Sequence, residues 1–181
     1  EYSHSVDFRV ESNNNQAMLM VDGSADKVGI GTLTPSAVLD VSGTDTVFSV
    51  QGTNGTLFSV QDDLSDSLMS VNDAAGLPVL EVFADNSICA GRYTCSDFYI
   101  SSDGDIGIGN ASPSYKLDVT GCMKVDTCMY LGCALIHDGD PDTYFQFCAN
   151  DAARIVTDGC ERIRFDNSAV VINEVMITIS E

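Results

Sequence analysis

Asp138, Asp140 and Asp142 alternate along the chain, and carboxylates at that spacing offer the hard oxygen donors that calcium takes. They do not complete a helix-flanked calcium loop, which needs Gly at its sixth position and Glu at its twelfth; Thr143 and Ala149 stand there. An exposed acidic turn is the plainer reading, and Asp103 and Asp105 around Gly104 read the same way. No cofactor is expected, with calcium the single one these aspartates leave open.

Cys89, Cys95, Cys122, Cys128, Cys133, Cys148 and Cys160 all fall in the second half. Their number is odd, so they cannot all pair within one chain. No Cys-x-x-Cys occurs, and the spacings are too wide for a zinc knuckle. Buried thiols are expected first, one or two disulfides next, and a metal site last.

Catalytic chemistry lacks a constellation. Neither His4 nor His137 has a serine or cysteine at a spacing that identifies a triad, and nothing selects two among the many carboxylates as a glycosidase-like pair. No catalytic residue is assigned, and the chain reads as non-enzymatic. Gly29-Ile30-Gly31 and Gly107-Ile108-Gly109 superficially suggest a nucleotide loop, but a strand pattern follows where a phosphate-binding helix would have to start. Tight turns are the better reading. Asn54-Gly55-Thr56 and Asn110-Ala111-Ser112 match the glycan acceptor pattern within predicted turns.

The elements that carry these residues are short strands. Fifteen glycines, no tryptophan and an abundance of Val, Ser, Thr, Asp and Asn suit strands joined by tight turns. Val47-Phe48-Ser49-Val50, Leu57-Phe58-Ser59-Val60, Leu68-Met69-Ser70-Val71 and Val79-Leu80-Glu81-Val82 form a ladder of rungs. In each, the second and fourth residues are apolar and the third is polar, so a period of two places them on opposite faces. Phe48, Val50, Phe58, Val60, Met69, Val71, Leu80 and Val82 are the expected assembly core. Such narrow rungs cannot shield an apolar stripe alone, so stacked rungs or neighbouring chains must complete it.

A larger repeat flanks the ladder. Val28 to Gly43 matches Ile106 to Gly121 at an offset of 78, and the strand Asp7 to Ser12 matches Asp97 to Ser102 at an offset of 90. The difference implies an extra strand in the first copy, supplied by Ala17 to Gly23. The repeats divide the chain into 1–43, 44–91, 92–126 and 127–181. Further strands are expected at Met129-Tyr130-Leu131, Tyr144 to Phe147, Ala153 to Val156, Arg162 to Phe165 and Val170 to Ile172, with a hairpin corner at Asp158-Gly159. Open terminal strands carrying Phe8, Val10, Val175, Ile177 and Ile179 are expected to seek partners.

A formal charge of −19, from 8 Lys plus Arg against 27 Asp plus Glu, excludes a polyphosphate partner. No apolar run reaches the roughly 18 residues of a membrane span, and no signal-peptide pattern opens the sequence.

The block Val28-Gly29-Ile30-Gly31-Thr32-x-x-Pro35-Ser36-x-x-Leu39-Asp40-Val41-Ser42-Gly43 and its second copy resemble repeat modules of bacteriophage tail fibres and related phage structural proteins. The stretches Asp63 to Asn72, Leu77 to Phe83, His137 to Tyr144, Arg154 to Gly159 and Glu161 to Phe165 are similar to the same proteins. The resemblance implies an all-β fibrous fold and a structural role at a virion or cell surface. It implies copies of the chain as partners, as a trimer or a helical polymer, with a cell-surface receptor or glycan beyond them. A pilus-like filament built by exchange of terminal strands is the alternative, and a glycan-binding adhesin a third.

Overall fold

The computed structural model describes residues 6–92 and 97–173. Those residues are all β, with no helix and 17 strands in three mostly antiparallel sheets. The chain divides into two units, 1–123 and 124–181.

The first unit holds two sheets. In one, β1 (Phe8–Val10), β2 (Leu19–Asp22), β3 (Lys27–Ile30) and β4 (Leu39–Val41) lie side by side in chain order. The other has eight strands: β5 (Asp45–Gln51), β6 (Thr56–Asp62), β7 (Ser67–Asn72), β8 (Pro78–Phe83), β9 (Ile88–Ala90), β10 (Phe98–Ile100), β11 (Ile106–Ile108) and β12 (Leu117–Val119). The divide drawn at 91/92 therefore falls inside one continuous sheet, because β9 pairs with β10.

The second unit is a five-stranded meander of β13 (Ala134–His137), β14 (Asp140–Ala149), β15 (Ala152–Thr157), β16 (Cys160–Phe165) and β17 (Val170–Ile172). Asp158 and Gly159 make the β15–β16 corner, both at positive φ (52° and 65°), as a two-residue hairpin that follows strand twist requires. The strand expected at Met129-Tyr130-Leu131 is absent; those residues are irregular, and the strand that pairs with β14 starts at Ala134. Val175, Ile177 and Ile179 lie outside the described residues.

The repeated glycine block builds an unusual element. β3 and β4 run parallel, as do β11 and β12, yet residues 31–38 and 109–116 suffice to connect them. A parallel connection ordinarily needs a dozen or more residues. Gly31 and Gly109 make the reversal possible at φ 78° and 69°. A Cβ on Gly31 would collide with the Ser42 carbonyl, whose own residue bonds back to the strand through Ser42 N to Ile30 O (2.8 Å). Asp40 closes the loop, its Oδ2 accepting from Ser36 N and Ser36 Oγ at 2.7 Å each, and Asp118 accepts from Ser114 N at 3.0 Å. The Pro-Ser-x-x-x-Asp spacing of the repeat is this loop closure.

The extra strand of the first copy has a consequence for pairing. β2 takes the place beside β3 that β10 takes beside β11, since Met20 faces Gly29 as Tyr99 faces Gly107. The strand at Phe8–Val10 resembles β10 in sequence but sits one position further out.

Gly31→Ala is expected to lower stability by about 1 to 3 kcal/mol through forced φ and the carbonyl clash. Gly104→Asn, at φ 77° with nothing near its Cβ, should stay within about 1 kcal/mol in the same denaturant titration.

Candidate assembly surface

Register places every predicted core residue on one face of the eight-stranded sheet. Phe48, Val60, Met69 and Val82 form one cross-strand column, and Val50, Phe58, Val71 and Leu80 form the other. The columns continue beyond the ladder, through Ile88, Ile100, Ile106 and Leu117 and through Ala90, Phe98, Ile108 and Val119. Sequence reasoning stopped at the fourth rung because strand partners across a distant turn carry no local signal. The Phe48 and Phe58 rings meet edge-on with centroids 6.0 Å apart.

The opposite face carries one row between the columns: Ser49, Ser59, Ser70, Glu81, Cys89, Tyr99, Gly107 and Asp118. Ser59 and Ser70 share a buried hydrogen bond at 2.9 Å. Burial pushes the Glu81 carboxyl up, against a Ser67 hydrogen bond that lowers it, and the Asp66 charge raises it further.

The other sheets repeat the plan. In the first, Phe8, Val21, Val28 and Leu39 align on one face, while Arg9, Met20, Gly29 and Asp40 align on the other. In the second unit, Leu135, Phe145, Ile155, Ile163 and Ile172 form one apolar column and Phe147, Ala153, Phe165 and Val170 the next. Its other face carries Arg154, which donates to Gln146 Oε1 through Nε (2.9 Å) and Nη2 (2.7 Å) and lies above the Tyr144 ring; Val156, on the same face, is buried.

No residue of these apolar columns is fully buried. Phe48, Val50 and Val60 are 45%, 41% and 36% exposed, and Phe8 and Val10 on β1 are 58% and 40% exposed. The buried residues of the sheets lie instead in the rows opposite: Met20, Ser59, Ser70, Cys89 and Val156.

The residues singled out for chemistry are dispersed. Asp138 lies in the β13–β14 turn with Gly139 at φ 77°, and Asp140 opens β14 with its Oδ2 3.7 Å from His137 Nδ1. A hydrogen bond between Asp140 and Asp142 holds the Asp140 carboxyl low and the Asp142 carboxyl high. Among the described residues, no three His, Cys, Asp or Glu side chains are grouped as a metal ion would need. Asn54 is exposed in the β5–β6 turn, and Asn110 is half-buried with Oδ1 accepting from Ser112 N at 2.9 Å.

The cysteines depart from the expected buried thiols. Cys89 is buried but disulfide-bonded, whereas Cys122, Cys128, Cys133 and Cys160 are exposed free thiols and Cys148 is a half-buried one. An open cavity of 470 Å³ over the polar row is lined in part by Asp66, Phe83, Asp85 and Tyr99. Asp85 in its lining accepts from Ser87 N at 2.9 Å, and its carboxyl is held low first by the Ser87 hydroxyl and then by that amide.

The chain matches no family model and no curated protein sequence. Among the described residues, no helix is long and apolar enough to cross a membrane.

Asp97 is held down at about 2, first by the Arg92 guanidinium that bonds its carboxylate. Its folded value lies below the ordinary one, so its contribution is present above about pH 4 and is lost as pH falls through about 2. Asp97→Ala should therefore melt below the wild type at neutral pH, with the gap closing between about pH 4 and about pH 2 in thermal scans.

Proposed function

We propose that this chain is a structural subunit of an extracellular fibre, most like the shaft of a phage tail fibre, and that copies of it pack through the apolar faces of their sheets. The observation that carries this reading is the pair of apolar columns running across all eight strands of one sheet with no fully buried member. A soluble chain rarely leaves so much contiguous apolar surface in water unless a partner covers it.

A second copy is the partner that fits. Its columns have the same spacing and apolar character, and closed assemblies of one chain reuse a single surface without needing another sequence. The charge of −19 keeps a long assembly from sticking to its neighbours. The mechanism is geometric: stacked strands form a stiff spacer that holds a binding tip away from the particle.

Open edges favour a second reading, a filament assembled by strand exchange. β1 and β17 each end a sheet, and every residue of both is exposed. Electron microscopy of the native assembly separates the two: a threefold shaft of limited length supports the fibre shaft, and an indefinite helical polymer supports the filament.

The double variant Phe48→Asp/Val60→Asp tests the packing face. These cross-strand partners are solvent-accessible in the single chain, so aspartates should leave the β circular-dichroism signal in place. In an assembled core, unpaired carboxylates cost several kcal/mol each, so sedimentation should show monomers. Wild-type assemblies from this variant would refute the packing face.

A further inference from the structure

The five free cysteines among the described residues all fall between β12 and the first residue of β16. The second unit is also poor in core, with Ala152 and Val156 its only fully buried apolar residues among those described. Units that bury too little apolar surface commonly rely on covalent staples. None of these five is paired, and five thiols cannot all pair with one another.

Their positions face outward. Cys160 stands at the tip of the β15–β16 hairpin, opposite Thr157, and is exposed. Cys122 and Cys128 are exposed in the strandless stretch 120–133, and Cys133 closes that stretch with its carbonyl accepting from Phe147 N at 2.8 Å. Cys148 is different, being half-buried beside the irregularity in β14. Cys89 is already disulfide-bonded, so oxidised sulfur belongs to the chain's native covalent structure.

We propose that Cys122, Cys128, Cys133 and Cys160 form disulfides between copies of this chain and lock the assembly covalently. The inference rests on the reading of the chain as a self-assembling extracellular subunit. The oxidant is a disulfide, either a small molecule or a thiol–disulfide oxidoreductase. A thiolate of one copy attacks it, forming a mixed disulfide and releasing one thiolate. A thiolate of the second copy then attacks the protein sulfur and releases the other. Two protein thiols thus give up two protons and two electrons, and the oxidant leaves as two thiols.

The test mixes isotopically light and heavy full-length chains, incubates them in an oxidising glutathione buffer, and traps residual thiols by alkylation. Non-reducing denaturing electrophoresis should show dimers and larger species that collapse to monomer with dithiothreitol. Mass mapping should find light–heavy peptide pairs joined through these four cysteines. The Cys122→Ser/Cys128→Ser/Cys133→Ser/Cys160→Ser variant should lose the cross-linked bands yet sediment under native conditions as the wild type does. Monomer bands without reductant, or disulfides confined to one chain, would overturn the inference. Native sedimentation separates the two readings: assembled but uncross-linked chains refute the disulfides alone, and monomers refute the assembly as well.

Discussion

The constraint on which the rest depends is that each sheet sorts its apolar side chains onto one face, and among the described residues no member of that face is fully buried. A strand with a period of two must send alternate residues to opposite sides, and antiparallel register carries the separation from strand to strand. Phe48, Val60, Met69 and Val82 thereby become one continuous column. In most domains a helix or second sheet closes over such a face. Here the sheet residues that do become buried are small or shielded ones on the opposite face, such as Ser59, Ser70 and Cys89.

Four free thiols are exposed, three of them in the strandless stretch 120–133. Carboxylates stay in water and settle into turns, where neighbouring N–H and hydroxyl groups stabilise their charge. Asp166 is the strongest case, held at about 2 first by the Ser168 hydroxyl and then by the Ser168 and Ala169 amides. The abundance of Asp next to Ser in this sequence is turn chemistry, in which the side chain mimics a backbone acceptor two residues on. This accounts for many of the acidic residues.

The repeated glycine block has a comparable mechanical role. It adds one parallel strand to the end of a sheet through a loop that would be too short without a positive-φ glycine and an aspartate that ties the loop shut. Both copies end their sheets this way, at β4 and at β12. On the proposed reading, the block ends one sheet and releases the chain to begin the next, a useful property for a protein extended along an axis. The nucleotide-loop likeness of Gly-Ile-Gly dissolves for the same reason: its glycines make room for neighbouring backbone, as where a Cβ on Gly107 would collide with the Asn110 carbonyl.

By itself the sequence determined the all-β class, the alternation of each rung, the Asp158-Gly159 corner and the extra strand of the first copy. These depend on neighbours within a few residues, and short-range patterns carry that information. Only the tertiary structure decided which strands pair. It joined the ladder to the second repeat in one sheet, put β2 rather than the Phe8–Val10 strand beside β3, and left Met129 to Leu131 irregular while Ala134–His137 paired with β14. Pairing depends on backbone groups that meet across turns of any length, and two strands of similar sequence, such as Phe8–Val10 and Phe98–Ile100, can each satisfy more than one position. That the eight rung residues share one face was legible from alternation alone, but the eight that extend their columns were not. Their membership is a property of register, which exists only once the strands lie side by side.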